Sequence, residues 1–424
     1  MTQTDPPDLA AITRVFARIG LLSFGGPAAQ IALMHRELVE ERAWLAEEEF
    51  LRALSFCMLL PGPEAMQLAT YAGWKLHGTR GGLIAGLLFV VPGAVLILAL
   101  AAAYAILGGA PVAQALLLGV KAAVIAIVLH ALQRVARRAL KGGTDWLIAA
   151  LAFLGLFAFA LPFPLIIAAA AIWGWLRGRK GPAAAPPADV PPLAATLRTV
   201  ALWSGLWLLP LAALALFEGG ILTRIGLYFS QLAVVTFGGA YAVLGWMTQT
   251  VVTDFGWLSP GQMMDALGLA ETTPGPLILV TAFVGFLAAY GQGGLALGLG
   301  GGLVTLWMTF APCFLWIFAG APWLDHLTRR PALQGALSAI TAAVVGVIAN
   351  LTVWFAAHVF FASVHVAAPG PFTVILPDPA SLQPAAVLLA LVSGYFLLWR
   401  HWPLPLVLLL SACTSWALSH LAAG

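Results

Sequence analysis

The sequence predicts an all-α polytopic membrane protein: two inverted-topology repeats of broken and full transmembrane helices, joined by a linking helix. Three observations predict it. The composition is too apolar for a water-facing domain, a set of landmarks recurs at one spacing, and the basic residues change ends between the two copies.

Of 424 residues, 61% are hydrophobic and 9% are charged, where a soluble domain carries about 25% charged residues. Mean hydropathy is +0.96. Runs such as Leu83–Leu107, Thr199–Phe217 and Ala386–Leu398 with its flanks approach the roughly 20 apolar residues that a crossing needs. Backbone polar groups in lipid must be satisfied within the segment, so these runs are helices. The 16 Trp and 23 Phe suit interfacial belts and lipid-facing surfaces. Met1–Leu9 carries Asp5 and Asp8 and lacks the basic-then-apolar pattern of a signal peptide, so the first helix itself is expected to insert. Cys57, Cys313 and Cys413 are far apart, with no CxxC or Cys/His cluster. HExxH, GxSxG and P-loop patterns do not occur. No metal, cofactor, catalytic constellation or nucleic-acid partner is expected.

The repeat is legible residue by residue. Ser23-Phe-Gly-Gly26, Trp44-Leu45 and Pro61-Gly-Pro63 recur as Thr236-Phe-Gly-Gly239, Trp257-Leu258 and Pro274-Gly-Pro276, each 213 residues later. Beyond an insertion near Gly298–Gly302 the spacing is 220: Pro92 with Pro312, Gln114 with Gln334, Lys121-Ala-Ala-Val124 with Thr341-Ala-Ala-Val344. The expected division is 1–176 for the first repeat, 177–223 for a cytoplasmic linker plus connecting helix, and 224–424 for the second repeat.

Basic residues favour the cytoplasmic side. Arg134, Arg137, Arg138 and Lys141 follow the helix near Val112–Gln133, and their counterparts Trp354, Ala357, His358 and Phe361 carry no fixed positive charge. At the other end Arg329 and Arg330 have Gly109 and Ala110 as counterparts, and Lys75 and Arg80 have no basic counterparts. Equivalent helices thus carry their basic clusters at opposite ends, as inverted repeats of secondary transporters do. Arg177, Arg179 and Lys180 lead into the Pro/Ala-rich segment Gly181–Ala195, read as an extended cytoplasmic stretch. The apolar helix Thr199–Phe217 then supplies the odd crossing that inverts the second half. The count is about thirteen segments, with a cytoplasmic N-terminus.

The chemistry is expected where helices break. Gly25-Gly26-Pro27 and Pro61-Gly62-Pro63 interrupt helical patterns, and Gly238-Gly239 and Pro274-Gly275-Pro276 repeat both. Irregular backbone at membrane depth is tolerated where it is buried or lines a cavity, and helix N-termini there present N–H groups that suit an anion. A single break is more often a kink; four at duplicated positions point to a cavity. Lys121 lies mid-span, too far from either end for easy snorkelling, and is a functional candidate. Arg14 and Arg18 share a helix face before the first break. Arg14 fits a cytoplasmic anchor better, Arg18 a substrate contact, and Arg224 a helix end. Hydroxyls of Ser23, Thr236, Thr272 and Thr273, with Gln30 and Gln67, are candidate donors, although such residues singly are more often helix–helix glue. Glu64 and Glu271 flank the Pro-Gly-Pro turns as proton-coupling candidates, with helix capping the alternative for Glu64. The segment His35–Glu49 sets two Arg against six Glu; it reads as a solvated loop or surface helix and as no place for a dianion.

Ser23-Phe-Gly-Gly-Pro-Ala-Ala-Gln30, Leu60-Pro-Gly-Pro-Glu64, Thr236-Phe-Gly-Gly-Ala-Tyr-Ala242, Gly256-Trp-Leu258 and Glu271-Thr-Thr-Pro-Gly-Pro276 together resemble the chromate ion transporter (CHR) family, in its long two-domain form. The resemblance covers both halves. It implies chromate efflux across the bacterial inner membrane and chromate resistance, and the family's short members, which act in pairs of opposite orientation, agree with the inversion read from charge. Chromate and the lipid bilayer are then the expected partners, with sulfate a competitor or exchange ion, and a homodimer is left open. Spacing and composition do not separate chromate from sulfate. A membrane-embedded enzyme acting on a lipid or quinone, and a channel subunit, are the readings from other classes.

Overall fold

The computed structural model describes residues 7–179, 192–367 and 372–423. Asp5 and residues 180–191 of the expected linker, Lys180 among them, lie outside the described residues.

The described chain is overwhelmingly helical. Glu64–Leu107, Pro111–Ala139, Leu193–Phe217, Leu277–Thr328, Pro331–Phe360 and Leu404–Leu421 are long and apolar enough to cross a membrane. Together with many apolar side chains on the outside, among them Leu209, Leu216 and Trp146, they make a multi-pass membrane protein. The linking helix Leu193–Phe217 begins after Pro192, earlier than the apolar run suggested. Among the described residues one element is not helical: Val364–Ala367 and Val374–Pro377 pair antiparallel, with Val364 opposite Pro377. It falls between the spans Pro331–Phe360 and Leu404–Leu421.

Two of the long stretches are hairpins. Within Glu64–Leu107, His77 and Gly78 leave helical geometry, Gly78 at φ +59°. A Cβ added to Gly73 would lie 2.3 Å from the Gly81 carbonyl oxygen, and one on Gly86 2.5 Å from Thr70 Oγ1. Residues this far apart in sequence meet only if the two legs fold back on each other. The second repeat does the same at Gly293 and Gly294 (φ +72°), with Gly285 against Thr305 and Gly301. Small residues let the backbones approach closely. The first leg, residues 64–76, is only about 20 Å long at about 1.5 Å per residue.

The helices beside the breaks are short as well: 14 residues for Leu9–Leu22, 15 for Ile221–Val235, 11 for Glu47–Cys57 and 12 for Pro260–Glu271. None alone reaches the roughly 20 residues of a crossing, so the breaks divide expected crossings into part-length helices. The repeat extends to fine geometry. Arg36–Glu40 and Gln249–Asp254 are both π-helical. Trp44 N–H donates to Leu38 O at 2.8 Å, and Trp257 N–H to Val251 O at 2.9 Å.

The chain forms two compact units that cut across the repeats. The first comprises Met1–Ala102, Pro182–Ala240 and Thr273–Leu333; the second comprises Ala103–Gly181, Tyr241–Thr272 and Gln334–Gly424. In the first, the hairpin Val280–Gly320 packs on Ile221–Val235 and on the linking helix. In the second, Pro111–Ala139 packs on Leu404–Ala423, Pro384–Gly394 and Pro260–Glu271. Each unit draws on both halves of the sequence because elements of one repeat bury their apolar faces on elements of the other.

Candidate functional site: paired helix breaks and a buried ion pair

The first unit holds all four breaks. Helix Leu9–Leu22 ends at Ser23 and Ile221–Val235 at Thr236, with the same φ of −77° and with ψ at 63° and 82°. Gly25 and Gly26 follow at φ +88° and +81°, Gly238 and Gly239 at +78° and +95°. These left-handed values favour Gly. The turn glycines Gly62 and Gly275 are at φ +120° and +89°.

The breaks pair crosswise between repeats. Gly62 N–H donates to the Thr236 carbonyl at 2.7 Å, and Gly275 N–H donates to the Ser23 carbonyl at 2.9 Å. A reciprocal exchange, i to j and j′ to i′, is what a two-fold relation generates. Gln30 locks one of the two crossings: its Nε2 donates to Ser23 O at 3.2 Å and to Gly275 O at 2.7 Å. Gln67 Nε2 donates to Pro61 O at 2.7 Å. The Oε1 atoms of both glutamines are buried without a hydrogen-bond partner.

The donors expected to face an oxyanion are therefore partly committed. The Gly62 and Gly275 amides bind the opposite break. Ser23 Oγ donates to Ile19 O and Thr236 Oγ1 to Leu232 O, each at 2.5 Å, and Thr272 Oγ1 donates to Leu269 O at 2.7 Å. Thr273 is buried. In contrast, helix Gly26–His35 has no side-chain cap at its N-terminus, and a Cβ at Gly26 or Gly239 would meet nothing within 4 Å.

Arg18 is half-exposed and lies 3.3 Å from Glu37 Oε1, and Arg42 reaches Glu37 Oε2 at 2.6 Å. Glu37 itself is fully buried. The acidic segment is thus not solvated throughout, because one of its carboxylates is sunk beneath two guanidiniums. At its ends His35 bridges Glu47 (2.6 Å) and Glu40 (3.0 Å). The hydrogen bond to Glu47 chiefly raises the imidazole pKa above its ordinary value, partly opposed by burial.

Lys121 belongs to the second unit. Its Nζ lies 3.2 Å from Oδ2 of Asp265, whose side chain is 3% exposed, and Tyr104 OH donates to the same oxygen at 2.9 Å. Glu271, also buried, accepts from Tyr241 OH at 2.5 Å. Glu64 begins the first hairpin and is partly exposed. Lys121 and Glu271 stand out in the sequence as candidates, whereas Asp265, Tyr104 and Tyr241 are not among them. Asp265 had a signal: an acid inside the apolar run Met263–Ala270 is as exceptional as a lysine inside Gly119–Leu129. The two tyrosines had none, since only packing shows which phenol meets which carboxylate.

The chromate transporter family model matches residues 10–175 and 223–416, leaving out the linker and the linking helix Leu193–Phe217. The probable chromate transport protein of Synechococcus elongatus is 32% identical over 358 residues, which cover 81% of this chain and 84% of that protein. The chromate transport protein of Cupriavidus metallidurans is 30% identical over 380 residues, covering 83% and 87%. That of Pseudomonas aeruginosa is 33% identical over 366 residues, covering 83% and 82%. No solved structure matches. With both halves of the sequence matched and the repeated breaks built alike, the chain belongs to the chromate transporter family.

Proposed function

We propose that this protein is a secondary transporter that exports chromate across the bacterial inner membrane by alternating access and so confers chromate resistance. The observation that carries the reading is the reciprocal pairing of the breaks, Gly62 to Thr236 and Gly275 to Ser23. Discontinuous helices joined across a repeat relation are the substrate-site architecture of many transporters. In this reading the Pro61-Gly62-Pro63 and Pro274-Gly275-Pro276 turns are scaffold. The N-termini after Gly25-Gly26 and Gly238-Gly239 present the backbone donors to the oxyanion. Ser23, Thr236, Gln67, Thr272 and Thr273 line the path, and their hydroxyl and amide groups turn toward substrate when it arrives. Arg18 is the candidate cation of the first unit and Lys121 that of the second, each paired with a carboxylate, Glu37 and Asp265. Glu64 and Glu271 remain coupling candidates. The names of the three relatives favour chromate over sulfate.

Export of a dianion from a negative-inside cell is downhill, by about 2.3 kcal/mol per charge per 100 mV. Radiolabelled chromate uptake into everted vesicles, with the potential clamped and sulfate as competitor, tests the reading. Saturable uptake that sulfate inhibits weakly is expected. Uptake of sulfate alone overturns the substrate, and non-saturating flux would indicate a channel.

A further inference from the structure

Asp265 is the carboxylate that balances Lys121, and its surroundings are unusual. It is 2% exposed. Both of its polar contacts fall on Oδ2, which takes Tyr104 OH and Lys121 Nζ, while Oδ1 is buried without a hydrogen-bond partner. Lys121 comes from helix Pro111–Ala139 and Tyr104 from the end of Glu64–Leu107. The third neighbouring helix, Leu404–Ala423, turns Ser411 to the Gly119 carbonyl, and its titratable Cys413 and His420 are exposed. On the same helix as Asp265, Glu271 is held by Tyr241. Lys121 and Tyr104 are thus the titratable groups bonded to Asp265.

A buried carboxylate oxygen without a partner is costly while ionised and much less so once protonated. A proton arriving on Oδ1 leaves Oδ2 in place but cancels the charge that holds Lys121. The lysine is a compact cation on a flexible stem, and its side chain is 25% exposed, so once released it can turn to another anion. While Asp265 is ionised it occupies Lys121 and repels a dianion. The carboxylate and the oxyanion therefore compete for one cation.

We propose that Asp265 is a proton-binding residue that decides whether Lys121 is available to the transported oxyanion. The inference rests on Lys121 being an oxyanion ligand. The anion keeps all its bonds. One proton passes from solvent to Asp265 Oδ1 as the anion binds and leaves when the anion leaves, so proton and anion move together. One net negative charge then crosses per dianion.

The test uses purified full-length protein in weakly buffered detergent solution with a pH indicator. The medium is alkaline enough to keep chromate a dianion, and sulfate serves as second probe. Wild type is expected to take up about one proton per anion bound, its affinity falling about tenfold per pH unit on the alkaline side. Asp265→Asn is expected to take up none and to bind with a flat pH profile. Should that variant fail to fold, Tyr104→Phe keeps the carboxylate and removes a bond to its ionised form, so the midpoint moves to higher pH. Anion binding without proton uptake, an unchanged slope in Asp265→Asn, or an unmoved midpoint in Tyr104→Phe overturns the proposal and leaves the oxyanion reading intact. Failure of wild type to bind either anion removes both.

Discussion

Gly62 of the first repeat gives its amide proton to Thr236 of the second at 2.7 Å, and the relation is returned by Gly275 and Ser23 at 2.9 Å. The turn glycines are fixed by more than hydrogen bonding. A Cβ on Gly62 would stand 2.8 Å from Gln67 Nε2 and 3.0 Å from Cys313 Sγ, at φ +120°. Gly62→Ala is therefore expected to cost about 1–3 kcal/mol and to abolish transport, whereas Gly26→Ala meets open space and costs about 1–2 kcal/mol from φ alone. Thermal melts of detergent-purified variants read the difference. Equal melting temperatures would show that the crossing bears no strain.

Gln30 spans the second crossing with one amide nitrogen. Gln30→Ala leaves two buried carbonyls with fewer donors and should destabilise by about 1–3 kcal/mol. Gln30→Glu, which sets a carboxylate oxygen against the same carbonyls, should be worse. Expression level and melting temperature, compared with chromate uptake per folded molecule, check the ranking.

Removing Lys121 does two things at once. Lys121→Ala should abolish chromate uptake, and it strands the buried Asp265 charge, a loss of about 3–5 kcal/mol if the acid stays ionised. The double variant Lys121→Ala with Asp265→Asn should recover most of the stability and none of the uptake. Recovered uptake in the double variant would mean that Lys121 serves only to balance Asp265.

Glu37 separates its two arginines. Arg42, a quarter exposed, lies at 2.6 Å and also reaches the Glu37 carbonyl, while Arg18, half-exposed, lies at 3.3 Å. Arg42→Ala should lower the melting temperature markedly, because it leaves a buried carboxylate short of its closer partner. Arg18→Ala should lower it little while raising the chromate KM. An unchanged KM in Arg18→Ala would reduce Arg18 to an anchor.

The raised pKa of His35 makes a pH signature. Its bridges to Glu47 and Glu40 stabilise the folded state fully below the ordinary His value of about 6.5. That contribution is lost as pH rises through the higher native value. Melting temperatures of wild type and His35→Gln should differ most in acid and converge in alkali. A gap that widens with pH would contradict the assignment.

Amino-acid order alone places this chain in a membrane, shows that it is duplicated, marks where its helices break, and sets Lys121 out of place in an apolar span. Those are properties of composition and spacing: too few charges to face water, and Gly and Pro at repeated positions where φ or a missing N–H forbids a continuous helix. Tertiary structure decided which break meets which. The crossing of Ser23 with Gly275 and of Thr236 with Gly62 joins residues more than 170 positions apart through main-chain atoms, and main-chain atoms leave no mark in residue identity. It also decided that Lys121 faces Asp265 and Arg18 faces Glu37. A charge on a sequence shows that it must be compensated in a low-dielectric interior; only packing shows by whom.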